Sequence, residues 1–349
     1  MTRYYLRPAA LHPAVMAPGG CGVPVLGGRM TCSLFEQIVW DGSEAVPVRR
    51  WQRPDELEAG EALARLQAAR PAPFDRPRLM GILNVTPDSF SDGGEHADAT
   101  AAIRHGLRLA AEGADIVDVG GESTRPGAAE VPVEEELRRV LPVVRALAEA
   151  GVTVSIDTRK AAVMRAAVEA GARIINDVSG LTHDPASIET AAAADAWVVL
   201  MHMQGTPATM NEAPFYRACA LEVHDHLAER IDACAAAGIG RERLIVDPGL
   251  CFGKHEPENV DLLRHLALFH ALGCPVMLGV SRKGWTAALE TGWPAKERLP
   301  GTLAATTWAL GQGVQLFRAH DVAAHRQLLL AWRALADNAS DPPTREPSP

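Results

Sequence analysis

Residues 149–177 read EAGVTVSIDTRKAAVMRAAVEAGARIIND. After Gly151 comes a short apolar run, VTVSID (152–157), then a stretch rich in alanine, then Gly171 and a second run, ARIIND (172–177). The runs are too short for helices of ordinary length and too continuous for a sheet with one wet face. They suit strands covered on both sides, which means parallel strands joined by helical crossovers. A glycine just before each run supplies the left-handed residue that stops the preceding helix.

The same cycle extends both ways along the chain. Upstream stand LMGILN (79–84) and ADIVDVG (114–120); downstream stand AWVVLMH (196–202), RLIVD (243–247), PVMLGV (275–280) and VQLFR (314–318). With the two runs above, they make eight. The intervening segments have helical periodicity, clearest in 133–148, where Val133, Leu137, Val140, Leu141, Val144, Leu147 and Ala148 share one face. Glycines close several of them: Gly113, Gly151, Gly171, Gly238, Gly273 and Gly313. Eight strand-then-helix units over about 260 residues predict an α/β fold of the (β/α)8 barrel type, a TIM barrel. A doubly wound open sheet is the alternative, but it does not need eight near-equal repeats, and no G-x-G-x-x-G follows the first strand.

Residues 1–77 break this rhythm. They are rich in Pro, Gly and Arg, with a hairpin expected in GGRMTCSLFEQIVWDGSEAVPVRRW (27–51) and a helix in PDELEAGEALARLQAA (54–69). The expected division is an N-terminal extension (1–77) with little part in chemistry, a barrel (78–337) and a polar, Pro-containing tail (338–349). A chain of 349 residues, 47% hydrophobic, can fill a barrel-sized core. Lys and Arg total 34 against 43 Asp and Glu, a formal charge of −9 with no basic run, which argues against nucleic acid as a partner. No run of eighteen apolar residues occurs, and prolines interrupt the first twenty residues where a secretory signal would carry its apolar core. No membrane association and a cytoplasmic location are therefore expected. The six cysteines form no C-x-x-C pair and read as reduced thiols, without zinc or disulfides.

In a parallel barrel the loops after the strands share one rim, so the residues at the eight strand ends decide the chemistry. They are Asn84; Glu122-Ser123-Thr124-Arg125; Asp157; Asn176 and Asp177; His202; Asp247; Ser281-Arg282-Lys283; and Arg318 with His320. Asp157, Asn176 and Asp247 suit the edge of a flat, nitrogen-rich ring that presents adjacent N–H donors. Arg125, Lys283, Arg318 and His320 suit phosphate oxygens or a ring carbonyl. A heterocycle carrying a diphosphate would use both sets. Each residue also has a plain structural reading: Asp157 and Asp184 as helix N-caps, His202 as a core histidine, Lys283 and Arg318 as surface charges. Joint arrival at one rim favours function. TPDSFSDGG (86–94) and GGESTRPG (120–127) have the composition of turns, and at that rim they read as loops that close over a polar ligand, with Phe90 giving an apolar contact and Asp92 a charge.

GILNVTPDSFSDGG, DVGGESTRPGA, SIDTRK, INDVSG, LMHMQG, DPGLCFGK, GVSRK and FRAHDV, in this order over residues 79 to 335, resemble the dihydropteroate synthase family of pterin-binding barrels. The resemblance stops short of residues 1–77. It implies a folate-pathway transferase that joins 7,8-dihydropterin-6-ylmethyl diphosphate to 4-aminobenzoate, releasing pyrophosphate, with Mg2+ as cofactor and a homodimer as the assembly. Carried over by motif, the pterin pocket falls on Asp157, Asn176, Asp247 and Lys283, with Arg318 covering the ring. The diphosphate falls on Asn84, Thr124, Arg125, Arg318 and His320, and Mg2+ on Asn84 and Asp92. The aminobenzoate slot falls on Phe90, Pro126, Phe252 and Gly284, with Arg125, Lys283, Arg318, His320 and Asp157 as the catalytic set. Two positions depart from the family pattern: Gly284-Trp285 stands where Ser commonly follows the Lys, and Cys251 where Gly is common. Both border the aminobenzoate slot. Two rivals are a methyltetrahydrofolate-dependent methyltransferase barrel, which has no use for Arg125 and the Arg318-x-His320 pair, and a catalytically silent pterin-binding homologue.

Overall fold

The computed structural model describes residues 2–17, 22–42, 46–86, 94–285 and 292–336, with backbone alone for 94–98. Six short strands come first: β1 (Arg3–Pro8), β2 (Leu11–Pro13), β3 (Val23–Val25), β4 (Met30–Cys32), β5 (Phe35–Trp40) and β6 (Val48–Gln52), followed by helix α1 (Glu61–Gln67). They form two antiparallel three-stranded sheets, β1-β5-β6 and β2-β4-β3. The hairpin expected over 27–51 is β5–β6. The helix expected over 54–69 is shorter than predicted: Pro54–Glu56 is a 3-10 turn, and α1 starts only after Gly60. An interior glycine costs a helix about 1 kcal/mol relative to alanine, so the chain uses Gly60 as a boundary.

Eight parallel strands follow: β7 (Arg78–Asn84), β8 (Ile116–Gly120), β9 (Val154–Asp157), β10 (Ile174–Asp177), β11 (Trp197–Met201), β12 (Leu244–Asp247), β13 (Met277–Leu278) and β14 (Leu316–Ala319). Their order is β12-β11-β10-β9-β8-β7-β14-β13, and a parallel bridge between Val246 and Val276 joins the two ends into a ring. This is the predicted barrel. Strand β13 is shorter than the predicted run 275–280. Pro275 has no N–H to give, and the Val276 N–H goes to the Gln315 side chain at 2.8 Å instead of to a strand carbonyl. Helices α2 (Gly94–Ala111), α3 (Val133–Glu149), α4 (Ala161–Glu169), α5 (Ser187–Ala193), α6 (Cys219–Ala236), α7 (Glu256–Arg264), α8 (Leu299–Gly311) and α9 (Val322–Ala336) alternate with the strands. Helix α3 buries Val140, Val144 and Leu147 of its predicted face. All six helix-closing glycines named above have positive φ.

Strand parity sets up the site. Met80, Ile116, Ile174, Val199, Ile245, Met277 and Leu316, from seven of the strands, form one buried cluster, closed by Phe74 packed edge-on against Trp197 at 4.8 Å between ring centroids. Side chains two apart on a strand share a face, so the next inward position on five of those strands is Asp118, Asn176, Asp247, Gly279 and Arg318. The barrel is apolar at one end and polar at the other, with the change made in a single pleat.

The extension packs onto this frame. Tyr5, Ile38 and Trp40 join the same hydrophobic cluster as the strand and helix side chains of the barrel. Tyr5 Oη donates to Asp225 Oδ2 on α6 at 2.8 Å, Arg7 Nη1 donates to the Arg264 carbonyl at 3.3 Å, and Arg70 Nη2 donates to the His270 carbonyl at 2.9 Å. Because apolar burial is shared, extension and barrel should unfold together. Ile38→Ala is expected to cost about 2–5 kcal/mol and to leave one cooperative transition in urea, followed by circular dichroism. Two separate transitions would contradict the shared core.

Candidate active site

The polar pleat is organised around Arg318. Its Nε donates to Asp118 Oδ2 at 2.7 Å and its Nη2 to Asp157 Oδ2 at 2.7 Å. Asn176 Nδ2 donates to the same Asp118 oxygen at 3.0 Å. Asp118, on β8, is fully buried, and its other oxygen has no hydrogen-bond partner among the described residues. Inspection of strand ends alone passes over this residue, which stands two positions inside its strand. The signal that could have found it is the alternation in DIVDVG, where an acid occupies the inward position after Ile116.

Asp247 completes the ring edge from β12, its Oδ1 accepting from Gly249 N at 2.8 Å. Lys283 Nζ donates to the Leu250 carbonyl at 2.6 Å and lies 4.7 Å from the Phe252 ring centroid. A Cβ at Gly279 would stand 3.6 Å from Lys283 Nζ, 3.9 Å from Arg318 Cβ and 4.0 Å from Asp247 Oδ2, so these three groups converge on that position. Asp157 and Asn176 are linked to them through Arg318 and Asp118, and the five surround one space.

Two or three carboxylates around one guanidinium cannot all be neutralised by it. Burial raises Asp157 to about 7, partly offset by Arg318 and reinforced by Asp118. Burial also raises Asp247, against the pull of Lys283 and the Gly249 N–H, and burial lowers Lys283. Burial thus favours the protonated form of both Asp157 and Asp247.

The rim is different in kind. The side chains of Asn84, Thr124, Arg125 and His320 make no hydrogen bond to any described residue. His320 gives its backbone N–H to Ser281 Oγ at 3.1 Å. Its imidazole is lowered to about 4 by burial and by Arg318, Arg282 and Arg125, so it is neutral and Arg125 is near enough to act on it. Asn84 ends β7 in register with Gly120, itself in register with Asp157. Phe90 and Asp92 lie outside the described residues. Among the described residues no three acidic, His or Cys side chains gather around a metal position. Of the two predicted metal ligands the described one, Asn84, offers a hard neutral oxygen of the kind Mg2+ accepts. Of the predicted amine-side residues, Phe252 meets Lys283. Pro126 and Gly284 are exposed; the loop of Pro126 is tied across the rim by Gly127 N donating to the Pro207 carbonyl at 3.2 Å.

Several strand-end polar residues serve the frame. Glu122 is buried, accepting from Lys160 Nζ at 2.6 Å, from Arg159 and from Val131 N at 2.8 Å, and it pins both stems of the 122–131 loop. Asp177 caps its own turn through Ser179 N at 2.7 Å and Leu181 N at 3.0 Å. The capping reading of Asp157 does not hold: α4 starts at Ala161, whose N–H is taken by Asp184 Oδ2 at 2.9 Å. His202 is a buried histidine bonded through Nδ1 to Lys254 Nζ at 2.9 Å, a partner that the sequence reading did not single out.

Residues 80–320 match the family model described as "Pterin binding enzyme". The dihydropteroate synthase of Escherichia coli (strain K12) is 50% identical over 250 residues, covering 71% of this chain and 88% of that protein. The solved Xanthomonas albilineans dihydropteroate synthase with 4-aminobenzoic acid superposes with a TM-score of 0.71 at 50% identity, over 76% of this chain and 95% of that one. The structure of the Xanthomonas albilineans enzyme in complex with 7,8-dihydropteroate gives a TM-score of 0.69 at 48% identity, over 76% and 95%. The fold of this barrel is that of a pterin-binding enzyme, and the chain belongs to that family. Within it, the chain groups with the dihydropteroate synthases, transferases of folate biosynthesis.

Replacing Arg318 tests the electrostatics of the floor. Arg318→Met leaves Asp118 and Asp157 without their cation and should cost about 3 kcal/mol. The sign with pH follows from the raised proton affinity of Asp157: stability is retained in acid, where it takes up a proton, and lost as pH rises through its folded-state value of about 7. Denaturation at pH 5 and pH 8 should show the larger deficit at pH 8; an equal deficit at both contradicts the arrangement.

Proposed function

We propose that this chain condenses dihydropterin-6-ylmethyl diphosphate with 4-aminobenzoate using the convergent residues in two groups. The pterin edge is held by Asp157, Asn176, Asp247 and Lys283, and the diphosphate by Asn84, Thr124, Arg125, Arg318 and His320. The observation that carries this reading is the position of Arg318. It is bound to two carboxylates at the ring end, and two residues further on stands His320, near Arg125 and without a side-chain partner among the described residues. A methyl-transferring pterin barrel would need the first group and not the second.

The chemistry follows from charge. The CH2–O bond breaks with its electron pair going to the diphosphate oxygen, and positive charge spreads over the dihydropterin ring. Asp157 and Asp247 stabilise the ring while Arg125 and Arg318 stabilise the leaving group, so the barrier falls by preorganised electrostatics. The arylamine nitrogen then bonds to the CH2 carbon and releases a proton. A neutral arylamine is already a nucleophile, so no strong general base is assigned. His320, neutral at physiological pH, serves as a hydrogen-bond donor to the phosphate. Mg2+ held by Asn84, Asp92 and the diphosphate would add neutralising charge to the leaving group. Closure of the loops 86–94 and 120–127 would exclude water, which otherwise captures the cation. Phe90, Pro126, Phe252 and Gly284 form the amine slot in this reading.

The assembly is assigned as a homodimer. Supporting this, the last two barrel helices, which pack on each other, expose Trp308, Leu330 and Leu335. The location is assigned to the cytoplasm: no helix among the described residues is long and apolar enough to cross a membrane, and the described cysteines are free thiols, as a reducing compartment keeps them. Residues 1–77 are assigned as an extension that braces the barrel, with residues 338–349 as a tail.

The direct test is pyrophosphate release from dihydropterin diphosphate, which should require 4-aminobenzoate and Mg2+. Arg125→Ala should lower kcat about 10²–10³-fold, as loss of one leaving-group donor does. Lys283→Ala should weaken pterin binding about 100-fold or more, because a cation and a ring contact go together. Parent-like turnover in either variant would remove the assigned role. Because the ring edge needs ionised Asp157, kcat/KM for the pterin substrate should rise with pH to about 7 and level off above it. A flat profile between about pH 5.5 and 8 would show that Asp157 does not titrate there.

A further inference from the structure

The segment Asp247–Lys254, DPGLCFGK, turns on three residues with left-handed backbone, one of them not a glycine. Gly249, Cys251 and Gly253 all have positive φ, at 70°, 64° and 60°. A Cβ at Gly249 would stand 1.9 Å from the His202 carbonyl oxygen, so this loop is pressed against the end of β11. Cys251 is not glycine and tolerates its left-handed backbone because its N–H is held by Asn259 Oδ1 at 2.7 Å. Such backbone persists only where its surroundings over-determine it.

The residue that over-determines it is Lys254. Its side chain is buried, yet among the described residues no carboxylate lies within ion-pair distance of its Nζ. That nitrogen instead has three close partners at 2.9 Å, the Gly249 carbonyl, the Phe252 carbonyl and His202 Nδ1, which match the three N–H bonds of an ammonium, with the His202 carbonyl as a longer, shared acceptor at 3.2 Å. For Nδ1 to accept, the imidazole must be neutral with its hydrogen on Nε2, and burial keeps it so. Burial brings Lys254 itself down to about 7. A buried cation solvated by carbonyls is costly, and here it gathers the two ends of one four-residue stretch, 249–252, onto β11.

That stretch presents two groups to the site. The Leu250 carbonyl accepts from Lys283 Nζ, and the Phe252 ring lies beside the same ammonium. Of the ring-edge residues, Asp157 and Asn176 stand on β9 and β10, whereas Asp247 begins this segment and accepts from the Gly249 N–H. We infer that Lys254 is a positioning residue for the amine acceptor: by clamping residues 249–252 to His202 it sets the Phe252 ring at the distance an arylamine needs, without touching substrate. This rests on the function proposed above.

The test compares the full-length parent with Lys254→Met, which keeps the length of the side chain and removes its donors. The measured quantities are kcat and KM for 4-aminobenzoate, and the Kd of dihydropterin diphosphate without the amine. The expected result is a rise in the amine KM of about tenfold or more, with a clearly smaller loss of pterin affinity, since Asp157 and Asn176 stand on β9 and β10 while Asp247 and Lys283 meet the loop only through the Gly249 N–H and the Leu250 carbonyl. In a Phe252→Ala background the effect of Lys254→Met on KM should largely vanish, because the clamp then has nothing to position. An unchanged amine KM overturns the inference, and so does a loss of pterin affinity equal to the rise in KM, which would mark a merely structural role. Should Lys254→Met fail to fold, His202→Ala removes the ring acceptor and should give the same split in smaller measure; an unchanged KM there also overturns it. A parent that turns over neither substrate refutes the proposed function itself, whereas an active parent with an unaltered variant refutes this inference alone.

Discussion

Two buried carboxylates sharing one guanidinium set the terms for the rest of this molecule. Asp118 and Asp157 project into a space walled by strands on every side, where an unpaired charge is expensive and water cannot easily compensate. Arg318 satisfies both, and Asn176 adds a neutral donor to Asp118. The arrangement is possible because β8, β9, β10 and β14 bring these side chains inward at nearly the same height, which requires the barrel and its register. It leaves a surplus of acceptors facing the centre, the property that a donor-rich ring edge needs.

The contrast between floor and rim follows from this. Floor residues are bound to one another before any ligand arrives, so their geometry is preset. Rim residues, Asn84, Thr124, Arg125 and His320, keep their side chains without partners among the described residues. They are held in place from below: Glu122, clamped by Lys160 and Arg159, anchors the loop that carries Thr124 and Arg125. A fixed floor and an unsatisfied rim are what a reaction requires in which the ring stays and the diphosphate departs. In the proposed reaction Lys254 extends the same logic to the third side, that of the amine acceptor.

The barrel was legible because its signals are local and repeated. Short apolar runs, helix-stopping glycines and the amphipathic face of α3 each report on neighbours in sequence, and all recur in the structure. So were Asp157, Asn176, Asp247, Lys283 and Arg318, since strand ends are where a barrel keeps its chemistry. Asp118 was missed because it stands inside its strand, where only the match between two-residue parity and the apolar layer beneath identifies it. Lys254 was missed because its partners are backbone carbonyls from a turn whose left-handed residues the sequence marks only at the two glycines, not at Cys251. The choice between capping and binding for Asp157 depended on Asp184, which reaches α4 from the next unit. Contacts between repeats are invisible to a reading made one repeat at a time.

The account stands on ring and diphosphate meeting at Arg318. A crystal structure with a dihydropterin and pyrophosphate bound together measures this directly. Ring nitrogens within about 3.2 Å of Asp157, Asn176 and Asp247, with pyrophosphate oxygens at the same distance from Arg125 and His320 and with Arg318 between the two ligands, is the predicted result. A pterin seated away from those carboxylates, or a pyrophosphate out of reach of Arg318, would contradict it.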